Sequence, residues 1–487
     1  MHPSRMMVAS LLLAALPCSV AAARAPGLAT GSEKSACPMG ALAKAKGTTK
    51  ITFWFDWGQV RGDEVRALVD RFNGSQTKVK IDATFHGNQY NPYAIADDYV
   101  RAVKAGAGPD LISANGRTTQ LMIDSATTIP MAACVASDHV DLSDLLPAVR
   151  ATGESGGTLV AMPWGAGGEV LVYNRIAFTK AGLDPDKPPS NLAELRSASK
   201  AIMQTGAAKH GLSVLALSNP LKWLFDANGE AWFTANAAGR AEHSVLSSAR
   251  GRNIVADYAD MAKTGELIAF PLGPNPDYLI AVASGDAAMA FAPAGVLGDV
   301  QKYLRDNNVP GLEPAVGPMP AATERRDFSL EGAGAPLWIV KGSNAAKREA
   351  AYRFAKWLVE PDQLVEWAST TGAIPIRTSA ASLPAMTDFW KAHPLFRVAY
   401  DQLPHVGPTS AATVRTGSTQ VETILDELIA AILTRSADPA TSVPAAMVKV
   451  DAAMAEYNAS VATNAATASG QGVCKAKKTT ANSSGCR

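Results

Sequence analysis

Between residues 50 and 114 the spacing of apolar residues changes back and forth between two periods. Residues 50–55 and 79–85 alternate and are rich in β-branched and aromatic side chains, which predicts strands. Residues 62–73 repeat apolar positions every three or four residues, which predicts an amphipathic helix, and a second helix is predicted at 99–104. A third strand is predicted at 111–114. The order strand, helix, strand, helix, strand predicts a parallel sheet covered by helices.

A second pattern of this kind begins at residue 170. Residues 170–173 form a short apolar run preceded by glycines, which predicts a strand. Asn174 suits a helix cap, residues 175–181 can make two short turns ended by Gly182, and Ser190 is predicted to cap a further helix after a proline-rich loop. Further strands are predicted at 286–291 and 332–340, and further helices at 345–359, 414–433 and 444–457. The chain is therefore predicted to be an α/β protein.

Length and charge exclude several classes of protein. With 487 residues the chain is longer than one core normally serves, so two or three lobes are expected. The formal net charge is +1 and charged residues make up 18 %, which indicates neither a nucleic-acid groove nor a polybasic membrane patch. Nucleic acid is therefore not an expected partner.

The N-terminal residues have the pattern of a cleaved secretory signal. Arg5 supplies a positive charge, residues 8–16 are apolar but too few to span a bilayer, and small residues follow. We therefore predict a signal peptide at residues 1–25 and a mature protein in the periplasm. A lipid anchor on Cys18 is the less favoured alternative, because the preceding Leu-Pro fits a lipobox poorly. Flexible segments are predicted at 26–47 and 461–487.

Four cysteines remain after Cys18, namely Cys37, Cys134, Cys474 and Cys486. An even number in an oxidising compartment predicts two disulfides, for which three pairings exist. We favour Cys37 with Cys134 and Cys474 with Cys486; in the alternative, Cys37 is bonded to the C-terminal tail. No histidine lies at ligand spacing from these cysteines, so neither a metal site nor a cofactor is expected.

One segment carries a family signature. The strand VLVYN at 170–174 is followed by KAGLDPDKPPSNLAEL at 180–195, and this combination resembles the signature of the family 1 extracellular solute-binding proteins of ABC importers. Further similarities are FW at 53–54, RFN at 71–73, FHGN at 85–88, GDAAM at 285–289 and TGAIP at 371–375. The resemblance covers about residues 50–457 and is greatest to members that bind sn-glycerol 3-phosphate. The alternative interpretation of the segment is an ordinary strand-to-helix connection in an α/β enzyme.

The resemblance implies a two-lobed periplasmic-binding-protein fold of type II, a Venus flytrap in which each lobe is a mixed sheet flanked by helices. Lobe 1 would comprise residues 48–160 and 331–372, and lobe 2 residues 161–330 and 373–460. A monomer of this kind would capture a carbohydrate or a glycerol-phosphate-type solute in the cleft between its lobes. It would then deliver the small molecule to the membrane subunits of an ABC permease.

Residues that follow predicted strands are candidate ligand contacts, because ligands of open α/β sheets bind beyond the carboxyl ends of the strands. Asp56 and Trp57 follow the first strand, and a carboxylate beside an indole suits a sugar, although a capping Asp and a packed Trp would have the same sequence. Arg415 falls where the resembled family has an arginine that reaches the ligand; the alternative is an arginine in a surface ion pair. The remaining candidates are Gln89, Tyr90, Asn115, Trp164, Gly167, Trp223, Ala294 and Gly334.

Several polar contacts of the sn-glycerol-3-phosphate-binding members are missing from this chain. Ala373 stands where they have a tyrosine, and Asn115 or Gly116 stands where they have an acidic residue. Ala166 and Gly167 stand where they have serines. These smaller side chains imply a larger pocket. A bulkier glycerophosphodiester, or a neutral sugar or oligosaccharide, is therefore expected in preference to glycerol 3-phosphate.

A secreted carbohydrate-active enzyme is the alternative function. The seven histidines include no HExxH motif and show no nucleophile–base spacing. The acidic residues show no pair that the sequence alone assigns to glycoside hydrolysis. Catalysis is therefore not expected.

Overall fold

The computed structural model describes residues 36–88, 91, 93–273, 275–307, 311–324, 334–406 and 414–468. The predicted signal peptide, Cys18 and the predicted bond between Cys474 and Cys486 lie outside these residues. None of the helices in the described ranges is both long and apolar enough to cross a membrane.

The described residues contain fourteen strands, numbered here in chain order. They are β1 Thr49–Phe55, β2 Val79–Phe85, β3 Leu111–Ser113, β4 Thr128–Ile129, β5 Glu154–Ser155, β6 Thr158–Leu159, β7 Glu169–Asn174, β8 His210–Leu215, β9 Phe233–Ala235, β10 Ala241–Ser244, β11 Leu267–Phe270, β12 Ala287–Pro293, β13 Pro314–Pro318 and β14 Leu337–Val340.

Two five-stranded mixed sheets dominate the fold. The first has the order β2-β1-β3-β14-β4, with β1 parallel to β2 and β3 and with β14 antiparallel to β3. The second has the order β11-β8-β12-β7-β13, with β8 parallel to β11 and β12 and with β7 antiparallel to β12 and β13. The predicted fold class is therefore confirmed, as is the parallel start of the first sheet.

Helices cover the two sheets. The α-helices of the described residues are α1 Ala41–Lys44, α2 Gln59–Ser75, α3 Ala94–Lys104, α4 Thr119–Asp124, α5 Met131–Asp138, α6 Pro147–Thr152, α7 Arg175–Lys180, α8 Leu192–Gln204, α9 Asn219–Asp226, α10 Ala249–Lys263, α11 Asp277–Ala283, α12 Leu297–Asp306, α13 Ala345–Leu358, α14 Pro361–Thr371, α15 Thr378–Ala381, α16 Pro384–Ala392, α17 Val398–Gln402, α18 Thr419–Arg435 and α19 Pro439–Ala468.

Helix boundaries differ from prediction where side-chain caps decide them. Asn191, and not Ser190, caps α8, because its side chain accepts a hydrogen bond of 2.9 Å from the backbone N–H of Glu194. The Glu194 carboxylate in turn accepts bonds of 2.8 Å from the N–H and the hydroxyl of Ser190. The last helix, α19, runs Pro439–Ala468, well beyond the predicted 444–457, and continues past the start of the predicted flexible tail.

The segment 36–47 is attached to the first lobe, which differs from the prediction of a flexible head. The disulfide Cys37–Cys134 joins it to α5 and confirms that pairing. The backbone N–H of Leu42 in α1 donates to the buried Glu349 carboxylate at 2.8 Å. A residue this polar is stable in the interior only with such partners, so the contact fixes α1 on α13.

The strand ends bring several chain segments to one place. In β1, Ile51, Phe53 and Phe55 are buried on one face of the sheet. The strand ends at Phe55, so the residues after it leave the sheet at its carboxyl end. In the second sheet Glu169, which begins β7, pairs with Pro293, which ends β12. The carboxyl ends of β1 and β3 and this corner of the second sheet line the cavity described next.

Candidate functional site

A cavity of about 370 Å³ lies between the two sheets, a size common for small-molecule sites. Six of the residues predicted from the sequence line it. They are Asp56, Trp57, Asn115, Gly167, Trp223 and Gly334. The rule that ligand contacts follow strand ends accounts for Asp56, Trp57 and Asn115, whereas Trp223 lies in α9 and Gly334 precedes β14.

The other predicted site residues lie elsewhere. Trp164 and Ala294 are buried next to lining residues but are not part of the lining. Arg415 is half-buried and also lies outside the lining that the described residues form. Gln89 and Tyr90 fall outside the described residues. A ligand contact by any of these five remains a prediction.

Three tryptophans pack together at one wall of the cavity. The ring centroid of Trp57 is 4.7 Å from that of Trp367, on which it stacks, and 5.0 Å from that of Trp164. Trp164 and Trp367 are 4.9 Å apart. Gly165 has a φ of 63°, and a Cβ there would lie 1.9 Å from Trp57 Cη2, so only glycine fits. Gly165, in the loop before β7, thus leaves room for the indole of Trp57.

Asp56 lines the cavity and has a buried polar atom. Its Oδ1 is buried and has no hydrogen-bond partner among the described residues. Burial raises the pKa of Asp56 to about 7, against the opposing charge of Arg61. Since a buried carboxyl oxygen without a donor is unfavourable, Asp56 is suited to accept a hydrogen bond from a bound molecule.

Arg61 is a cavity residue that the sequence analysis missed. It lies in the first turn of α2 and reaches toward the second lobe, where a Cβ on Gly295 would be 3.8 Å from its Cδ and Nη1. Its Nε is buried with no hydrogen-bond partner in the described part of the chain. A signal was available, because a basic residue in the first turn after β1 lies near the sheet edge.

Other polar residues also line the cavity, of which Glu169 and Asn219 were not predicted from the sequence. Glu169 is buried at the start of β7, and Asn219 is buried at the start of α9. Arg117 lines the cavity and donates from Nη1 to the hydroxyl of Tyr93 at 3.4 Å. The described lining therefore contains two acidic and two basic residues. The acidic residues are Asp56 and Glu169, and the basic residues are Arg61 and Arg117.

Hydrogen bonds also join elements of the two lobes outside the cavity lining. Asp124 at the end of α4 accepts hydrogen bonds of 2.9 and 2.8 Å from the guanidinium of Arg240, beside β10. It also accepts one of 2.9 Å from the hydroxyl of Tyr457 in α19. The carboxylate of Asp299 in α12 accepts one of 3.2 Å from the N–H of Val60 in α2.

No group of three or more His, Cys, Asp or Glu side chains suited to a metal ion occurs within the described ranges.

A protein-family model described as bacterial extracellular solute-binding protein matches residues 67–398 of the chain. Among individual relatives, the sn-glycerol-3-phosphate-binding periplasmic protein UgpB of Pectobacterium atrosepticum is 28% identical over 443 residues. That match covers 88% of this chain and 96% of the relative.

Solved structures of similar fold bind different solutes. UgpB of Mycobacterium tuberculosis in complex with glycerophosphocholine matches with a TM-score of 0.69 at 19% identity, covering 84% of this chain and 99% of the other. The GacH receptor of Streptomyces glaucescens, solved unliganded and with acarbose, matches with a TM-score of 0.68 at 18% identity, covering the same shares. At these identities the matches show the fold alone.

Proposed function

Since the chain belongs to the bacterial extracellular solute-binding proteins, we propose that its cleft captures a carbohydrate or a glycerol-phosphate-type solute and delivers it to an ABC importer. The single observation that carries the proposal is the cavity between the two sheets, which presents buried polar atoms without partners among the described residues. Such atoms gain hydrogen bonds when a polar solute enters. The two lobes, with the bounds given above, would close on the solute by a hinge motion.

The importer and the compartment belong to the same proposal. A monomer exported by the predicted signal peptide would bind solute in the periplasm, and the closed form would dock on the permease subunits. The relative from Pectobacterium atrosepticum is named as a periplasmic protein that binds sn-glycerol 3-phosphate, and this supports the compartment and the solute class. The protein would release its solute chemically unchanged and would therefore act as a binding protein, not as an enzyme.

A thermal-shift screen tests solute binding directly. Purified protein is heated with neutral sugars, polyols, sn-glycerol 3-phosphate or glycerophosphodiesters. A ligand of the folded form at 100 times its Kd stabilises that form by about 2.7 kcal/mol and raises the Tm. The proposal requires that at least one of these classes does so. If none changes the Tm and none binds in calorimetry, the proposal is wrong.

A matched pair of variants locates the binding site. Trp223 is buried and lines the cavity, whereas Trp357 packs on Phe72 outside the lining. We expect Trp223→Phe to weaken solute binding and Trp357→Phe to leave it unchanged. Arg415→Ala, tested in the same titration, would weaken binding if the arginine reaches the ligand as predicted from the sequence.

The cavity also gives the enzyme alternative a specific form. Asp56 and Glu169 both line it, and glycoside hydrolysis uses two carboxyl groups, one of them with a raised pKa. Incubating the protein with each binding sugar and analysing the sugar afterwards separates the two functions. Recovery of the intact sugar supports a binding protein; cleavage that is lost in Glu169→Gln supports the enzyme.

A further inference from the structure

We infer that Asp56 and Arg61 together bind hydroxyl groups of an uncharged, polyhydroxylated solute, so that Arg61 determines specificity without serving as a phosphate ligand. This inference rests on the proposed function and narrows its solute class. It concerns Arg61 on α2, and not Arg415, which the family resemblance indicates as a ligand contact.

The two side chains offer complementary hydrogen-bonding atoms. Oδ1 of Asp56 is an acceptor and Nε of Arg61 is a donor, and both are buried without hydrogen-bond partners among the described residues. No ion pair joins the two side chains within the described chain, so neither satisfies the other. A hydroxyl group both donates and accepts, and neighbouring hydroxyls of one sugar ring can therefore satisfy both atoms.

The charges around Arg61 disfavour an anion. Burial raises the pKa of Asp56 and of Asp299. The positive charge of the Arg61 guanidinium opposes that rise in both carboxyl groups. A phosphate placed on Arg61 would therefore approach two carboxyl groups. Above pH 7, where Asp56 is ionised, acids and bases are equal in number in the described lining, and the cavity then has no surplus cation for a phosphate.

The tryptophans disfavour a quaternary ammonium group. Such a cation is held over open aromatic faces. Trp57, Trp164 and Trp367 instead cover one another, with ring centroids 4.7–5.0 Å apart. A zwitterionic glycerophosphocholine would thus lack an aromatic cage at this wall. The cavity is better matched to a solute recognised through hydroxyls.

The test uses calorimetric titration with maltose, maltotriose, trehalose, sn-glycerol 3-phosphate and glycerophosphocholine. We expect the wild type to bind a neutral sugar more tightly than either phosphate-bearing solute. Arg61→Met and Asp56→Asn should each weaken sugar binding about 10-fold to 100-fold, because each leaves a sugar hydroxyl and its partner unpaired. Asp56→Asn should also bring sn-glycerol 3-phosphate binding closer to that of the sugar, since it removes a like charge.

Arg66→Met is the matched control. Arg66 lies on the same helix, is outside the cavity lining, and pairs with the exposed Asp63 at the surface. Its substitution should leave every titration unchanged. Circular dichroism and the Tm of each variant establish that it is folded.

Three results would overturn the inference, and they differ in what they mean for the proposed function. If sn-glycerol 3-phosphate or glycerophosphocholine binds more tightly than all three sugars and Arg61→Met abolishes that binding, the inference is wrong while the proposed function stands. If a neutral sugar binds and Arg61→Met has no more effect than Arg66→Met, the inference is also wrong. If no solute of either class binds, the inference and the proposed function fail together.

Discussion

Replacing Asp56 by asparagine tests whether the cavity holds an ionisable group at the expense of stability. The ordinary pKa of an aspartate is 3.8, and burial raises that of Asp56 to about 7. Between these values the folded protein retains a proton that the unfolded chain has released. The contribution of Asp56 to the free energy of unfolding therefore falls as the pH rises from 4 to 7. At pH 8 the loss amounts to about 4 kcal/mol.

Urea unfolding of the wild type and of Asp56→Asn at each pH unit from 4 to 8 measures this loss. The variant cannot ionise at this position, so its free energy of unfolding minus that of the wild type should increase by about 4 kcal/mol across the series. Taking the difference removes the titration of all other groups. It also makes the pH-independent effect of burying an amide a constant offset.

Asp141→Asn is a control of opposite sign. This exposed carboxylate accepts a hydrogen bond of 2.8 Å from the N–H of Ser143, which lowers the pKa of Asp141. A lowered pKa stabilises the folded form fully above the ordinary value of 3.8. In a series extended below pH 4, the variant should therefore lose stability relative to the wild type as the pH rises toward 3.8 and stay level above it. A difference for Asp56→Asn that stays flat from pH 4 to 8 would refute the reasoning about its burial.

Two other contacts give measurable predictions. The disulfide Cys37–Cys134 closes a loop with a sequence separation of 97 residues and so limits the conformational entropy of the unfolded chain. The Cys37→Ser/Cys134→Ser double variant should therefore lose about 4–5 kcal/mol of unfolding free energy in urea. An unchanged urea midpoint would contradict this entropic explanation. Asp124→Ala should lose about 1–3 kcal/mol, because it removes the acceptor of Nη1 and Nη2 of Arg240 and leaves only the bond from Nε to Asn458. It should also increase the radius of gyration in small-angle scattering; equal values for both proteins would show that this contact does not hold the lobes.

Local periodicity is sufficient for the first three strands of the fold. The predicted bounds of β1, β2 and β3 differ from the observed ones by at most one residue, because alternating apolar side chains can be buried on one face only as a strand. The insertion of β14 between β3 and β4 is different in kind. It pairs residues more than 200 positions apart, and no local pattern determines which edge such a strand joins.

The candidate site was predictable in position more than in orientation. Strand ends locate Asp56 and Asn115, because the backbone itself carries them to the sheet edge. Trp164 follows the same rule, yet its indole turns away and packs against Trp57 and Trp367. Arg61 was missed for the converse reason. Whether a helical side chain faces a cleft depends on the rotation of the helix and on the opposite lobe, and a single sequence specifies neither.

The free cavity keeps apart two opposite charges that could satisfy each other. A direct ion pair between Asp56 and Arg61 would remove both unpaired atoms, but a solute would then have to break it before binding. Held apart, each atom instead gains its hydrogen bond only when a solute is present, so the solute stabilises the closed form more than the open one. The instability expected at Asp56 and the affinity proposed for Arg61 thus have one physical origin, which is the desolvation of polar atoms in a cleft that binds a solute.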